Sequence, residues 1–324
     1  MLKFLLGLLV LAAPLAPRQD PKLEEVISEF KTYSKVDGVS GNLNSVGSDT
    51  MNNMMGYWSE GFRKVYPNVI IGIEGKGSST AFPALIEGTA QLGPMSREAK
   101  PTEQDKFERA YGYKATQLRP ALDALAVFVN KDNPLNEITF EQLDAIFSKS
   151  RNRGMRENIT TWGQLGLKGE WANRSISMYG RNSASGTYGF FKEIALKNGD
   201  YKDTVKEMAG SATVVLAVTD DANGIGYSGI GYASGSPGVK MLRIAEKKGA
   251  AYVEPSADNV YNETYPLRRF LFVYINKSPG KPLSPLVREF CTYMFSTEGQ
   301  RDVIRDKYFP VPKAVMEQEL TKIR

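Results

Sequence analysis

Histidine is absent from the 324 residues of this sequence. Imidazole is the most frequent general acid or base in enzymes, the usual partner of a serine or cysteine nucleophile and the most frequent zinc ligand. Most hydrolytic and metal-dependent enzymes are therefore poor candidates for the function of this chain. We predict that the protein is not an enzyme and that it uses neither a metal ion nor a cofactor.

Cysteine is almost absent as well, since Cys291 is the only one. A single thiol cannot form an internal disulfide, so cysteine usage permits an oxidising compartment without demonstrating one. The residues around it, REFCTYMF, form a helical apolar stripe, which predicts a buried packing thiol. Because no cysteine lies in or just after the apolar run near residue 10, we expect no lipoprotein-type covalent membrane anchor.

Long apolar segments are also scarce. One run, over residues 4–13, follows Lys3 and is shorter than the ~20 residues that a membrane-spanning helix needs. A positive charge followed by a run of this length is typical of an export signal. We predict a signal peptide over residues 1–17, with cleavage near Ala16 and the exact bond left open by the prolines on both sides, and a soluble periplasmic product.

Charge of either sign is modest. Lysine and arginine number 41 against 36 aspartates and glutamates, which gives a formal net charge of +5. No block of five or six like charges marks a nucleic-acid-binding tail, so we expect no nucleic-acid partner. The small positive excess suits an anionic partner, and an ordinary solvated surface explains it equally well.

Strands and helices alternate along the chain. The Val- and Ile-rich run VIIGIEG (69–75) precedes the helical pattern TAFPALIEGTA (80–90), which is typical of an α/β protein. The length predicts about two domains, because single cores rarely grow beyond ~250 residues. The other predicted elements are helices over 50–66, 138–147, about 284–306 and 312–323, strands over 124–130 and 268–277, a strand, turn and helix over 175–199, and a strand and turn over 222–234.

Three polar clusters each follow a predicted strand and precede a predicted helix: GSDTM (47–51), GKGSST (75–80) and GRNSASGT (180–187). The first turn of a helix presents unpaired N–H groups and the positive end of the helix dipole, and small residues let an anion approach that backbone. Each cluster alone is also explained by ordinary helix capping. Three together indicate an anion site, because Arg181 in the third cluster can bind two oxygens of one oxyanion.

The clusters do not match nucleotide-binding loops. GKGSST places Gly77 where a Walker A loop requires Ser or Thr after its lysine, and GRNSASGT has no lysine. Neither cluster fits GxGxxG with a downstream acidic residue. The pattern therefore predicts a small tetrahedral anion that is bound whole, and not the phosphate tail of a cofactor.

The sequence resembles the substrate-binding proteins of bacterial phosphate ABC transporters from about Gly41 to Pro312. The matching blocks, in the family's order, are GSDTMNNMMGYWSEGFRKVYPNV, GKGSSTAFPALIEGTAQLGPMSR, DALAVFVNKDNP, TFEQLDAIFS, YGRNSASGTYGFFKE, NGIGYSGIGY and FSTEGQRDVIRDKYFPVP. The resemblance implies a protein that binds inorganic phosphate by closing two lobes, breaks no bond and delivers the ion to a membrane permease.

The same resemblance implies a two-lobed periplasmic binding protein fold of type II. Each lobe would be a mixed sheet flanked by helices, and two strands would cross between the lobes as a hinge. We expect lobe 1 to comprise residues 38–125 and 268–324 and lobe 2 to comprise residues 126–267, in a monomer.

The resemblance also implies which residues bind phosphate. Those that match the family's contacts are Thr50 and Met51 at the first helix start, Ser78 in the second loop, Arg181, and the SGT helix start of Ser185, Gly186 and Thr187. The predicted set is completed by neighbours of these positions, namely Ser48, Asp49, Ser79, Ser96, Arg97 and Ser183.

Two positions depart from the family's pattern. Members with a GASD motif have an aspartate where this chain has Ser96, and members with DGSGT have another where it has Ser183. The first aspartate accepts a hydrogen bond from protonated phosphate, and sulfate has no proton to donate at neutral pH. We hypothesise that Asp49 supplies this acceptor, the alternative being that it only caps its helix. Arg97 is expected to add a second charge at the cleft, unless it is an exposed structural arginine.

Two other functions stay open at this stage. One is an exported phosphatase acting through Ser183 or Ser185, for which the sequence offers no obvious activating base. The other is an exported scaffold or adhesion protein that keeps the fold but has lost the anion or uses it differently.

Overall fold

The computed structural model describes residues 21–324, and the predicted signal peptide at 1–17 lies outside the described residues. The strands of the described range are β1 Asn42–Val46, β2 Ile70–Glu74, β3 Leu92–Met95, β4 Thr116–Asn130, β5 Glu137–Thr139, β6 Ser177–Arg181, β7 Lys206–Met208, β8 Gly224–Gly229, β9 Val239–Met241, β10 Arg243–Ala245, β11 Arg268–Ile275 and β12 Phe309–Pro310.

The helices lie before, between and after these strands. They are α1 Pro21–Ser28, α2 Asn52–Val65, α3 Ala81–Ile86, α4 Pro101–Tyr111, α5 Phe140–Phe147, α6 Gly186–Ile194, α7 Ser211–Asp220, α8 Ile230–Ala233, α9 Ala257–Tyr261, α10 Pro285–Met294, α11 Thr297–Arg305 and α12 Lys313–Lys322. In the part of the chain that the structure describes, no helix combines the length and the apolar character needed to cross a membrane.

A single long strand joins the two halves of the molecule. The main sheet has the order β2-β1-β3-β11-β4-β8-β6-β7, with β9 and β12 also pairing with β4. The first part of β4, up to Ala124, pairs antiparallel with β11, and the part from Leu125 onward pairs antiparallel with β8. We call the part built on β1, β2, β3, β11 and β12 the first lobe and the part built on β6, β7, β8 and β9 the second lobe.

The chain passes between the lobes at two adjacent places. One is within β4, and the other is just before β11, where the Leu125 N–H donates to the Leu267 carbonyl at 3.0 Å. The Tyr265 hydroxyl donates to the Leu125 carbonyl at 2.8 Å and ties the same crossing together. The predicted strand over 124–130 is thus the second half of a 15-residue strand. Its apolar run is buried throughout, as expected for a strand covered on both faces.

Helix α2 forms because its apolar residues recur every three or four positions. Met54, Met55, Trp58 and Phe62 are fully buried, so the helix predicted over 50–66 is confirmed as a core helix. The Trp58 indole N–H finds a partner in the Gly299 carbonyl at 2.8 Å. Helix α2 is thereby fixed against α11, and its first residues are held at the edge of the interlobe cleft.

The predicted helix over 312–323 is confirmed as α12, whereas the one predicted over about 284–306 is not continuous. The segment 284–306 forms two helices, because Ser296 caps α11 by accepting the Gly299 N–H at 3.1 Å and so starts a new helix after α10. Similarly, the helix predicted over 80–90 ends at Ile86, and the 222–234 segment ends in the short helix α8. Cys291 is fully buried, which confirms a packing thiol, and burial raises the pKa of this thiol to about 12.

Candidate anion-binding site

The three polar clusters lie where strands end and helical turns begin, as predicted. After β1 the chain forms a 3-10 turn over Asp49–Met51, after β2 another over Ser78–Thr80, and after β6 it enters helix α6. The second and third clusters touch across the lobes, because the Ser79 N–H and hydroxyl both donate to the Ala184 carbonyl, at 3.1 and 3.2 Å. Gly77, with φ +114°, permits this approach, since a Cβ there would lie 2.6 Å from the same carbonyl oxygen.

Four buried hydroxyl groups meet between the lobes, and we call them the hydroxyl cluster: Thr50, Ser78 and Ser96 of the first lobe and Thr187 of the second. The Oγ1 atoms of Thr50 and Thr187 are 2.9 Å apart. Ser96 Oγ is 3.4 Å from both Ser78 Oγ and Thr187 Oγ1. Each hydroxyl can donate one proton and accept others, so the cluster can surround the oxygens of a small anion with donors.

Helix α6 begins against this cluster. Ser185 caps the helix by accepting the Thr187 and Tyr188 N–H groups at 3.1 and 3.4 Å. A Cβ on Gly186 would lie 2.3 Å from Ser78 Oγ and 2.7 Å from Ser96 Oγ. Only glycine therefore lets the first turn of α6, with its positive dipole end, approach the first-lobe hydroxyls this closely.

Arg181 supplies a buried positive charge at the end of β6, where it is 1% exposed. Its Nη1 donates to Ser211 Oγ at 2.6 Å and its Nη2 to the Ala209 carbonyl at 2.9 Å, which fixes the plane of the guanidinium. Burial lowers the pKa of Arg181, and the nearby carboxylate of Asp49 acts in the opposite direction. The Nε of Arg181 is buried and has no hydrogen-bond partner within residues 21–324, so one donor is left for another group.

Asp49 contacts the opposite lobe. Its Oδ2 lies 3.1 Å from Arg181 Nη1 and accepts the Ser211 N–H and hydroxyl at 2.8 and 3.0 Å. Its own turn is preceded by Ser48, where no side-chain cap is formed. The structure thus does not show the predicted alternative, in which Asp49 only caps its own helix. The carboxylate instead joins the start of the first lobe's turn to Arg181 and to the start of α7.

The other predicted residues differ in their partners and burial. Arg97 forms a bidentate pair with Glu103, with both contacts at 2.7 Å, and its side chain is 10% exposed. Ser183 is exposed and, like Arg97, lines an interlobe groove of about 770 Å³. Met51 is buried in the core, and Ser48 Oγ is buried without a partner in the described part of the chain.

Sequence reasoning missed a second buried arginine at the hydroxyl cluster. Arg269 pairs with Asp123 and donates from Nη2 to Thr187 Oγ1 at 3.0 Å. The only sequence signal was the doublet of arginines that opens the strand RRFLFVYINK, which by itself does not say which arginine is buried. Ser211, which supports both Arg181 and Asp49, was also missed. Among the described residues, no group of three or more acidic or cysteine side chains is arranged to hold a metal ion.

Known proteins share this fold and much of this sequence. The model of the PBP superfamily domain matches residues 33–298. The phosphate-binding protein PstS of Pseudomonas aeruginosa is 52% identical over 304 residues, which cover 94% of this chain and 91% of that protein. A solved structure from Clostridium perfringens, described as a phosphate ABC transporter substrate-binding protein with bound phosphate, has a TM-score of 0.69 at 25% identity and covers 84% of this chain and 100% of that chain.

A second solved structure, described as a possible phosphate binding protein from Planctomyces limnophilus, has a TM-score of 0.63 at 26% identity, with 88% of this chain and 99% of that chain covered. The chain therefore belongs to the PBP superfamily and, within it, to the family of PstS phosphate-binding proteins. The predicted fold is confirmed: it is a two-lobed α/β periplasmic binding protein fold of type II.

Proposed function

We propose that this protein binds inorganic phosphate between its lobes and delivers it to the permease of an ABC transporter. The observation that carries the proposal is the buried Arg181, which keeps a free donor while hydroxyl groups from both lobes meet at the same cleft. A buried site with a fixed cation and many hydroxyl donors suits a small tetrahedral oxyanion. The names of the relatives support phosphate as that anion.

The proposed phosphate-binding set is the one that the sequence predicts: Ser48, Asp49, Thr50, Met51, Ser78, Ser79, Ser96, Arg97, Arg181, Ser183, Ser185, Gly186 and Thr187. Within it, the hydroxyl cluster, the start of α6 and Arg181 are the inner contacts in this proposal. Arg97 and Ser183 line the adjacent groove and would meet phosphate on its way in.

We further propose that residues 38–125 and 268–324 form one domain and residues 126–267 the other. The change of pairing partner along β4, between Ala124 and Leu125, supports this division. Phosphate would first contact one lobe, and bending at the two crossings would bring the other lobe onto it. The protein is proposed to act as a periplasmic monomer without a covalent membrane anchor.

Binding without catalysis is favoured over phosphatase activity by the state of Ser185. Its Oγ already accepts two backbone N–H groups as the cap of α6, and no base contacts it in the described range. A nucleophilic serine needs a neighbouring group that takes its proton. We therefore propose that Ser185 donates to the anion and does not attack it.

The experiment that tests the function is a calorimetric titration of the purified protein with phosphate, repeated in the presence of sulfate. We expect tight one-to-one binding of phosphate that excess sulfate does not displace. A parallel assay with a chromogenic phosphate ester, with and without divalent metals, should show no turnover. Absence of binding to phosphate, sulfate, molybdate and arsenate would instead indicate a scaffold or adhesion protein.

A further inference from the structure

A fully buried ion pair lies at the crossing between the lobes. Arg269 of β11 donates from Nε and Nη2 to Asp123 Oδ2, at 2.8 and 2.7 Å, and the two side chains are 2% and 0% exposed. Burying two charges costs several kcal/mol per ion in desolvation, and apolar residues of equal volume often stabilise a fold as well or better. Stability alone therefore does not account for this pair.

The remaining contacts of the pair reach into both lobes. Arg269 Nη1 donates to the Ser96 carbonyl at 2.7 Å, and Asp123 Oδ1 accepts the Ile230 N–H of the second lobe at 3.0 Å. The guanidinium also lies 5.1 Å from the ring centre of Phe190 on α6. The pair thus touches the first-lobe loop that carries Ser96 and the starts of two second-lobe helices.

The contact with Thr187 determines the direction of a hydroxyl proton. Arg269 Nη2 can only donate, so Thr187 Oγ1 is the acceptor of that 3.0 Å bond. The single proton of this hydroxyl must then point elsewhere, and the other neighbours of Thr187 Oγ1 are the hydroxyls of Thr50 and Ser96. Arg269 therefore leaves Thr187 as a donor directed at the hydroxyl cluster, where an anion needs donors.

We propose that Arg269, held by Asp123, is a positioning residue that fixes Thr187 as a hydrogen-bond donor to the anion and helps to hold the lobes closed. This inference rests on the proposed phosphate-binding function and names a residue outside the predicted set. Arg269 acts through Thr187 and the Ser96 carbonyl, with no contact to the anion required.

The adjacent residue provides a matched control. Arg268 opens the same strand, but it pairs at 3.0 Å with Glu263, whose side chain is 68% exposed. Pairs at such exposed positions contribute little. Arg268 also lines the interlobe groove. Arg268→Met should nevertheless change phosphate affinity by at most about fivefold, because a surface pair is worth at most about 1 kcal/mol.

The test compares Arg269→Met with Arg268→Met by calorimetry with phosphate and by small-angle scattering with and without phosphate. We expect Arg269→Met to weaken phosphate binding by roughly 30-fold. This is the effect of losing one hydrogen bond to a charged group, here the bond from the Thr187 hydroxyl to the anion. We also expect a smaller phosphate-induced compaction than in the parent. Equal affinity and equal compaction in the two variants would overturn the proposal.

Two further measurements separate positioning from general damage. In a Thr187→Val background, Arg269→Met should lower phosphate affinity by less than about threefold. The hydroxyl that Arg269 orients is absent there, so the effects of the two substitutions are not additive. If the full effect persists there, Arg269 does not act through Thr187. If the parent itself fails to bind phosphate, the proposed function fails, and the result is distinct from failure of this inference.

Arg269→Met leaves Asp123 buried without its partner, which endangers folding. Arg269→Lys retains the charge beside Asp123 but lacks the planar fork that reaches several acceptors at once. We expect this variant to fold and to bind phosphate about tenfold more weakly than the parent. Affinity equal to that of the parent in Arg269→Lys would contradict the proposal.

Discussion

The two lobes contribute different chemistry to the same cleft. The first lobe offers neutral hydroxyls, the carboxylate of Asp49, and Arg269, whose charge is paired with Asp123. The second lobe offers a buried guanidinium, Arg181, and the start of a nine-residue helix. Attraction for an anion is therefore concentrated in the second lobe, whereas hydrogen-bond orientation and the candidate proton acceptor lie in the first. Neither lobe alone holds a complete anion site, so closure itself becomes part of recognition.

The largest effect should follow from removal of the second-lobe charge. Arg181→Met keeps much of the volume and deletes every donor of the guanidinium, and we expect phosphate affinity to fall at least 100-fold, since each hydrogen bond to a charged group is worth about 1.5–3 kcal/mol. Calorimetry measures this effect. Arg174→Met is the control, because Arg174 pairs with Glu170 and lies over the Trp171 ring at the surface. Unchanged affinity in Arg181→Met would mean that the second lobe does not supply the charge.

A methyl group at the start of α6 should block the contact between the lobes. In Gly186→Ala the new carbon would lie 2.3 Å from Ser78 Oγ, and overpacking of this kind costs about 1–3 kcal/mol, so we expect phosphate binding to weaken roughly 30-fold. Gly189→Ala is the matched control on the same helix. Its new carbon would lie 3.2 Å from Cδ of Arg97, so that side chain has to shift by only a few tenths of an ångström. Equal affinities of the two alanine variants would show that the helix start does not approach the first lobe in solution.

The free energy of unfolding should depend on pH because of Asp306, a buried carboxyl group in the first lobe. Burial raises the pKa of Asp306 to about 7, although hydrogen bonds from Asn53 and the Met54 N–H at the start of α2 act against this shift. Because the folded state then holds its proton more tightly than the unfolded chain, stability should decrease as pH rises from about 4 to about 7 and level off above that.

Asp306→Asn should remove this contribution. We expect the parent to lose about 2 kcal/mol more than the variant between roughly pH 5 and 8, given about 1.4 kcal/mol per unit of pKa shift and partial screening by solvent. Urea unfolding at the two pH values measures the difference. Parallel loss of stability in parent and variant would assign the pH dependence to other groups, of which Asp302, with its pKa raised to about 6 by burial, is the first to examine.

The smallest effect concerns discrimination between anions. If Asp49 accepts the hydrogen bond of protonated phosphate, Asp49→Asn should let sulfate compete roughly tenfold better, because an amide can donate where a carboxylate only accepts. Competition calorimetry with both anions measures the ratio of affinities. A variant that still excludes sulfate as well as the parent would place the acceptor elsewhere in the cleft.

The local parts of the site were predictable from sequence, whereas its long-range partners were not. Small residues and caps after a strand are determined within a few positions, so the turn before Ser78 and the capped start of α6 at Ser185 lie where they were predicted. Arg97 shows where prediction from sequence fails. Its partner Glu103 is only six positions away, but no sequence pattern predicted the ion pair. Arg269 depends on Asp123, 146 residues away, and only the folded sheet brings them together.

Helix boundaries were limited by the same kind of information. A continuous apolar pattern predicts one helix over 284–306, whereas Ser296 breaks it with a side-chain cap that ordinary periodicity does not detect. The burial of β4 was recognised in its apolar second half. Its first half, TQLRPALD, contains polar residues and a proline, and its strand character comes from pairing with β11.

The continuous strand β4 also governs how the molecule can be divided. Cutting the chain between Ala124 and Leu125 would separate the first half of β4 from β11, which lies in the other fragment. Each of these two strands would then carry a row of unpaired N–H and C=O groups. Unpaired strand edges of this kind can pair with strands of other chains, which favours aggregation. The two lobes should therefore be obtained as one cooperative folding unit, and hydrogen exchange at the amides of β4 should report the opening of the whole protein.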